Sequence, residues 1–356
     1  MTRAFLPAWL YTSPEIAERE RQLYANRLWH PLTASSLLDD DQAQAFELLG
    51  LPILLTRQQG VVRAFINRCP HRGVALQQPS DQPEACRRVV CPYHGWTYDL
   101  KGRLQAAARE RDFLEPFDRS QWPLTELACR ELAGLLWVAL GSDPLPLEHQ
   151  LDLVLQESPE LLSQPRVLLL RQRHSLHCNW KIAHDNTLDD YHVAIAHPTT
   201  LHREQGPVRL YRYALSAHGS LLATPYGSAG EFYTYGLAPW THLLLWPDGR
   251  MALIQFLPLD LQRCSMEVWL LGDRCLQDNA QAWMDEIQTF LREDKRLVEA
   301  AQLGYATGLV PGPPHRLEQR ILQQQQLYSR LMGLEPEHAH LSDAARHVEA
   351  TAPSPY

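Results

Sequence analysis

Two short loops, Cys69-Pro70-His71-Arg72-Gly73 and Cys91-Pro92-Tyr93-His94-Gly95-Trp96, each set one thiol and one imidazole a few residues apart. No other feature of the 356-residue chain restricts its fold as strongly. Pro and Gly shape tight turns, which bring the ligands together and let backbone N–H groups reach the sulfurs. The two loops are chemically equivalent halves. That equivalence fits a [2Fe–2S] cluster in which two cysteines bind one iron and two histidines the other, a substitution of imidazole for thiolate that raises the reduction potential. A structural zinc site with two cysteines and two histidines uses the same ligand types and is the main competitor. Zinc modules usually pair ligands as Cys-x2-Cys and His-x3-His rather than as two mixed loops, which favours the cluster.

The texture around the loops is β-like from about residue 45. Pro52 to Thr56, Val61 to Asn67, Trp96 to Asp99 and Leu135 to Leu140 read as strands, separated by turn signals at Gln59-Gly60 and Lys101-Gly102. Before them, Ser13-Pro14-Glu15 predicts the start of a helix that runs to about Trp29 and buries Ile16 and Leu23. After Gly141 to Pro144 come further strand-like runs (Val167 to Leu170, His242 to Trp246, Met251 to Leu257, Met266 to Leu271). Three helical stretches, near 180–196, 279–303 and 316–332, accompany them. The mixture indicates an α+β fold with one antiparallel sheet. Residues 1–40 are assigned to a helical N-terminal part of the second domain, 41–143 to the β domain with the Cys-His loops, and 144–356 to the second domain proper. The Pro-rich end, Ser342 to Tyr356, is expected to be mobile.

The second domain carries its own metal-ligating pattern. From Asn179-Trp180-Lys181 through Asp189-Asp190-Tyr191-His192 to His197-Pro198, histidines and aspartates crowd into some twenty residues. Read as one helix, the segment puts Ile182, Asn186, Asp189, His192 and Val193 on a single face, and Pro198 ends it just after His197. A two-histidine, one-carboxylate triad with open positions binds non-haem Fe(II), so a carboxylate is required from elsewhere. In the helix near 279–303, Trp283, Ile287, Leu291 and Val298 form an apolar stripe, and Asp294 falls on it. An ionised carboxylate on a buried face is costly unless a cation compensates it.

Both regions resemble one family. The loops are similar to those of Rieske proteins, and Cys91 to Trp96 is similar to the ring-hydroxylating oxygenase branch. Respiratory Rieske proteins carry an extra cysteine in each loop, where Val74 and Tyr93 stand here. The 19 residues 72–90 between His71 and Cys91 are a slightly long spacing, and Cys86 within it has no assigned role. Asn179-Trp180-Lys181 followed by Asp185-Asn186-x2-Asp189-x-Tyr191-His192-x4-His197 resembles the catalytic pattern of Rieske oxygenase α subunits, as does Glu293-Asp294-x4-Glu299-x2-Gln302-x-Gly304 downstream. The resemblance implies that Cys69, His71, Cys91 and His94 hold the cluster and that His192, His197 and Asp294 bind a mononuclear iron. It further implies that Asp189 bridges to a cluster histidine, His94, of a neighbouring subunit, and that Asn186 stands near the iron. His184 and Asp190 have no assigned role.

The implied fold is a Rieske β domain inserted into a helix-grip catalytic domain. The implied assembly is a ring of three subunits, a homotrimer at this length. No Gly-x-Gly-x2-Gly occurs, so electrons are expected from a separate NAD(P)H-dependent reductase, with or without a ferredoxin. The expected reaction uses O2 to hydroxylate, demethylate or dihydroxylate a small organic substrate. Aromatic residues at 226–246 (Tyr226, Phe232, Tyr233, Tyr235, Trp240, Trp246) fit either ordinary sheet core or the wall of an apolar pocket, and a pocket would suit an aromatic substrate, with a methylated amine or quaternary ammonium compound as the alternative. Asp rather than Glu at 189 leans away from carnitine-type oxygenases. A pure Rieske electron-transfer protein would leave the residues after 143 unexplained. The net charge of -8 disfavours nucleic acid and anionic membranes as partners, and seven scattered cysteines do not form a secreted disulfide pattern. With no signal-like start or spanning segment, the cytoplasm is the expected location.

Overall fold

The computed structural model describes residues 4–164 and 166–334; the expected mobile end, Ser342 to Tyr356, lies outside the described residues. Ser13 caps the first turn through its Oγ, which accepts the Ile16 N–H, and Pro14 takes the first helical position. Beyond Pro14–Arg19 the backbone widens into a π turn (Glu20–Tyr24) and tightens again (Ala25–Arg27). That change of winding rotates the buried face, so Ile16 is buried as expected but Leu23 is exposed. Trp29–Ala34 is a strand of the first sheet, not part of a helical N-terminal region, because the fully buried run Trp-His-Pro-Leu-Thr-Ala pairs along Leu135–Ala139.

The first sheet is antiparallel and runs in the order Trp29–Ala34, Leu135–Ala139, Glu126–Leu132, Val61–Ile66, Leu51–Gln58, Gln42–Leu48, Glu84–Ala85. Gln59 and Gly60, both with positive φ (54° and 73°), make the tight hairpin turn the sequence signalled. The first Cys-His loop leaves this sheet directly after Val61–Ile66. Asn67 clasps it: Oδ1 accepts the N–H groups of Leu76 and Gln77, and Nδ2 donates to the Gln77 carbonyl. The second loop joins the first two strands of a three-stranded sheet, Arg88–Val90, Thr97–Asp99 and Leu104–Ala106.

The second seven-stranded sheet runs Val167–Leu176, Arg263–Gly272, Met251–Asp260, Thr241–Leu245, Glu231–Leu237, Gly219–Pro225, Arg212–Leu215, again antiparallel. Successive side chains point to opposite faces. Leu243, Leu245, Leu253 and Trp269 therefore pack towards the first sheet, with Trp29 and Trp137. Leu244, Ile254, Phe256 and Val268 pack under three helices: α1 (Trp180–Thr187), α2 (Ala280–Ala306) and α3 (Gln319–Leu331). Trp180, Trp283, Ile287, Leu291 and Leu327 complete that layer.

The expected continuous helix over 180–196 is broken. α1 stops at Thr187, and a single short turn, Val193–Ala196, resumes after His192. The carboxylates in between turn the chain: Asp189 Oδ1 accepts the N–H of Tyr191 (2.9 Å), while the Asp190 N–H reaches across to the Leu317 carbonyl of the segment before α3. Ile182, Asn186, Asp189, His192 and Val193 consequently do not share one helical face. A turn at Lys101-Gly102 holds Gly102 at φ 76° with Phe65 beneath it, where an added Cβ would lie 2.5 Å from Phe65 Cε1. Gly102→Ala is expected to lower stability by about 1–3 kcal/mol, seen as a lower midpoint of thermal unfolding with the Cys-His loops still present.

Candidate metal centres and active site

The two Cys-His loops close in the same way. Cys69 N–H donates to Val74 O and Gly73 N–H to Cys69 O, both at 2.9 Å; Cys91 N–H donates to Trp96 O and Gly95 N–H to Cys91 O, at 2.8 and 3.0 Å. Gly73 and Gly95 take positive φ (76° and 70°), a conformation only glycine adopts at no cost. Both sulfurs are buried and lie close enough to interact, and the Tyr98 hydroxyl stands 3.7 Å from Cys69 Sγ. Burial pushes the Cys69 thiol up, against the His71 N–H and the Tyr98 hydroxyl. The His71 and His94 rings are 4.5 Å apart; His71 lies flat on Trp96, and His94 packs at a tilt against the outward-facing Tyr93. His71 Nδ1 is buried without a partner. Two converging sulfurs and two adjacent imidazoles, one with an orphaned nitrogen, are the donors needed by a [2Fe–2S] group with one iron on two cysteines and the other on two histidines.

In the second domain, His192 and His197 flank the short turn Val193–Ala196, and Asp294 comes from the middle of α2. Asp294 Oδ1 lies 2.9 Å from His197 Nε2 and 3.3 Å from His192 Nε2, and the two Nε2 atoms are 3.2 Å apart. All three ligand atoms lie within 4.8 Å of one another. The remaining nitrogens face carboxylates. His197 Nδ1 contacts Glu293 Oε2 at 2.7 Å, itself held by the Thr200 hydroxyl, and His192 Nδ1 stands 3.5 Å from Asp189 Oδ2. A histidine with one nitrogen on a carboxylate presents the other to a metal in a fixed tautomer and orientation.

Electrostatics point the same way. Burial works against charge on His192, but the Asp189 and Asp294 carboxylates beside it outweigh burial and raise the group to about 10. Burial likewise opposes charge on Asp294, yet its hydrogen bonds with His192 and His197 bring it down to about 2. The Asn186 side chain stands beside Asp294 on the same cavity wall and helps to lower that carboxyl, so it reaches the triad despite the broken helix. A divalent cation between these carboxylates and imidazoles would balance their charge, and the donor set suits non-haem iron.

Sequence reasoning named Glu293 only as part of the pattern around Asp294, without a role, and missed Thr200, whose signal was only its closeness to His197. It left His184 and Asp190 open, and both serve the packing of the domain. Buried His184, its Nε2 3.3 Å from Thr241 O, is pushed down to about 4 by burial. Asp190 pairs with buried Arg320 of α3 at 3.1 Å. A cavity of about 50 Å³ adjoins the triad, lined by Phe232, His242, Leu244, Trp246 and Phe290 among others. Of the aromatic residues expected there, Phe232 and Trp246 reach it, whereas Tyr235 and Trp240 belong to the cores.

The chain belongs to the Rieske non-haem iron oxygenases, as a terminal oxygenase (α) subunit. Residues 28–118 match the Rieske [2Fe-2S] domain and residues 166–334 the catalytic domain of the ring hydroxylating alpha subunit, so the family's cluster and mononuclear iron are its cofactors. Among its relatives, the carnitine monooxygenase oxygenase subunit of Escherichia coli K12 is 30% identical over 322 residues, covering 84% of this chain and 83% of that one. The corresponding subunit of Acinetobacter pittii is 28% identical over 317 residues, with 84% of each covered. A crystal structure of the quaternary ammonium Rieske monooxygenase CntA with an inhibitor superposes with a TM-score of 0.80 at 26% identity, covering 92% of this chain and 95% of that one. Glu293→Gln is expected to lower Fe(II) affinity of the mononuclear site by about 10–100-fold, measured by metal titration into the iron-stripped site, and to leave the cluster's absorption unchanged.

Proposed function

We propose that this terminal oxygenase holds its cluster through Cys69, His71, Cys91 and His94 and its catalytic iron through His192, His197 and Asp294. It acts on a small methylated ammonium compound. The observation that carries the reading is the convergence of His192 Nε2, His197 Nε2 and Asp294 Oδ1 beside an apolar cavity. The bound iron supplies dioxygen activation and the cluster one-electron delivery, for the overall change R–H + O2 + 2e⁻ + 2H⁺ → R–OH + H2O. The protein's own residues do the rest. Glu293 and Asp189 fix the two imidazoles, Asn186 orients Asp294, and Phe232, Leu244, Trp246 and Phe290 keep water from the reacting C–H. A methyl-bearing cation suits walls of this kind, and the relatives named for carnitine favour that class.

One observation favours a neutral aromatic substrate instead. The guanidinium of Arg250 already lies over the Trp246 ring, at 5.4 Å from its centroid, so that face offers less to a second cation. Asp rather than Glu at 189 leans mildly the same way. Product identity separates the two: cleavage or demethylation of the ammonium compound against ring hydroxylation.

Electrons would come from a separate NAD(P)H-dependent reductase, directly or through a ferredoxin, in the cytoplasm. Among the described residues no helix is long and apolar enough to cross a membrane. The working unit is a homotrimer in which Asp189 accepts a hydrogen bond from the partner subunit's His94. The exposure of the His94 ring in this chain leaves it available to a neighbour. Asp189→Asn is loaded with excess Fe(II) until about three Fe per chain are bound. The same variant should lose about 100-fold in NAD(P)H-driven O2 consumption with a reconstituted reductase. Unchanged turnover in fully loaded protein would contradict the bridging role.

A further inference from the structure

The cavity beside the triad has a polar end that iron binding does not need. Its floor is one face of the second sheet, formed by Phe232 and Thr234, then His242 and Leu244, then Ile254, with Trp246 just beyond. In register, His242 sits between Gly236 and Ile254, and Leu244 between Thr234 and Ala252. The alternation that sends Leu243 and Leu245 to the opposite core sends His242 into the cavity layer, where an aliphatic residue would satisfy packing alone. Burying an imidazole there is costly unless its nitrogens are hydrogen-bonded.

Three residues lining the cavity have a buried side-chain atom without a hydrogen-bond partner: Asp190 Oδ2, His192 Nδ1 and His242 Nδ1. The first two are balanced by their neighbours. Asp190 is neutralised by Arg320 and lies beside the Tyr213 hydroxyl, and His192 Nδ1 faces Asp189. His242 Nδ1 has no such neighbour, although the residue is only 6% exposed. The charged and titratable groups around it are Arg320, His184 and Asp294. Arg320 is matched by Asp190 and Asp294 by the metal centre, so no net charge remains at this end for a full carboxylate or a second cation. Burial first, and Arg320 next, keep the imidazole neutral, and a neutral ring offers one N–H and one lone pair.

We propose that His242 is a specificity-determining residue. Its ring hydrogen-bonds an uncharged oxygen of the substrate, a hydroxyl or carbonyl, and so fixes which C–H faces the iron site, while Phe232, Trp246 and Phe290 hold the apolar remainder. The inference rests on the reading that this cavity receives the substrate. It narrows that substrate to molecules with an apolar or methylated end and a neutral polar end.

Calorimetric titration of the iron-loaded protein with two matched pairs tests it: choline against ethyltrimethylammonium, and benzyl alcohol against toluene. Each pair differs by one hydroxyl. Wild-type protein is expected to bind the hydroxyl-bearing member of the accepted pair about tenfold more tightly, the worth of one hydrogen bond that would otherwise go unmade. His242→Leu brings that ratio to about one without changing iron content or the cluster's EPR signal, and His242→Gln, which can still hydrogen-bond, restores part of it. If the leucine variant loses iron, His242→Met, close in volume and unable to donate, takes its place. An equal hydroxyl preference in wild type and variant, or none in wild type, overturns the role of His242. Binding of the aromatic pair alone overturns the ammonium reading and leaves His242 standing. Binding of neither pair overturns both.

Discussion

The contact of Asp294 Oδ1 with the Nε2 atoms of His192 and His197 is the interaction on which the catalytic half depends. α2 is otherwise an apolar ridge over the sheet, with Trp283, Ile287, Leu291 and Val298 buried, and a carboxylate in that line is unfavourable until positive charge meets it. The fold supplies that charge from a single turn carrying both histidines. It then buttresses each ring from behind with a further carboxylate, Asp189 or Glu293. Four acid–imidazole contacts in one small volume make little sense as a stabilising device, since removing one partner strands the rest. They make sense around a cation.

Keeping the turn in place is the task of a second buried network. Glu20, from the π turn after the N-terminal helix, accepts hydrogen bonds from Lys181 and Trp180 of α1 and from Tyr328 of α3. On the other flank Arg320 of α3 holds Asp190, and on through its guanidinium the Thr234 carbonyl of the sheet. α1 is therefore tied at its start, and the chain is tied again two residues before His192. Between them, the segment that carries Asp189 and leads into His192 departs from helix. Irregular backbone at this point lets side chains be aimed at the site from several directions.

Much of this was legible in the sequence because ligand chemistry is local. The Cys-His loops are complete within five or six residues each, and their identical closing hydrogen bonds bear out the reading of two equivalent halves. Asp294 was found by its discord with an apolar stripe. What sequence periodicity could not show is where a helix yields to side-chain competition: the α1 continuation broke because Asp189 and Asp190 hydrogen-bond the backbone and a distant arginine. The strand Arg212–Leu215 was missed because four residues are too few to show a pattern, and Gly219–Pro225 and Glu231–Leu237 because Gly, Ser, Thr and Pro interrupt theirs; only pairing within the sheet settles them. His242 was invisible for a related reason: one histidine in a strand says nothing until the sheet shows which face it takes.

The central claim is that one chain houses two different iron centres, a Rieske cluster and a mononuclear ferrous site. Electron paramagnetic resonance on a single anaerobically reduced sample, before and after nitric oxide, tests it most directly. The reduced cluster is expected to give a Rieske-type signal, and added nitric oxide a second, high-spin signal that disappears in Asp294→Ala while the first persists. A Rieske signal with no nitric-oxide-dependent species in iron-replete protein would contradict it and leave the acid–histidine cluster of the second domain without its cation.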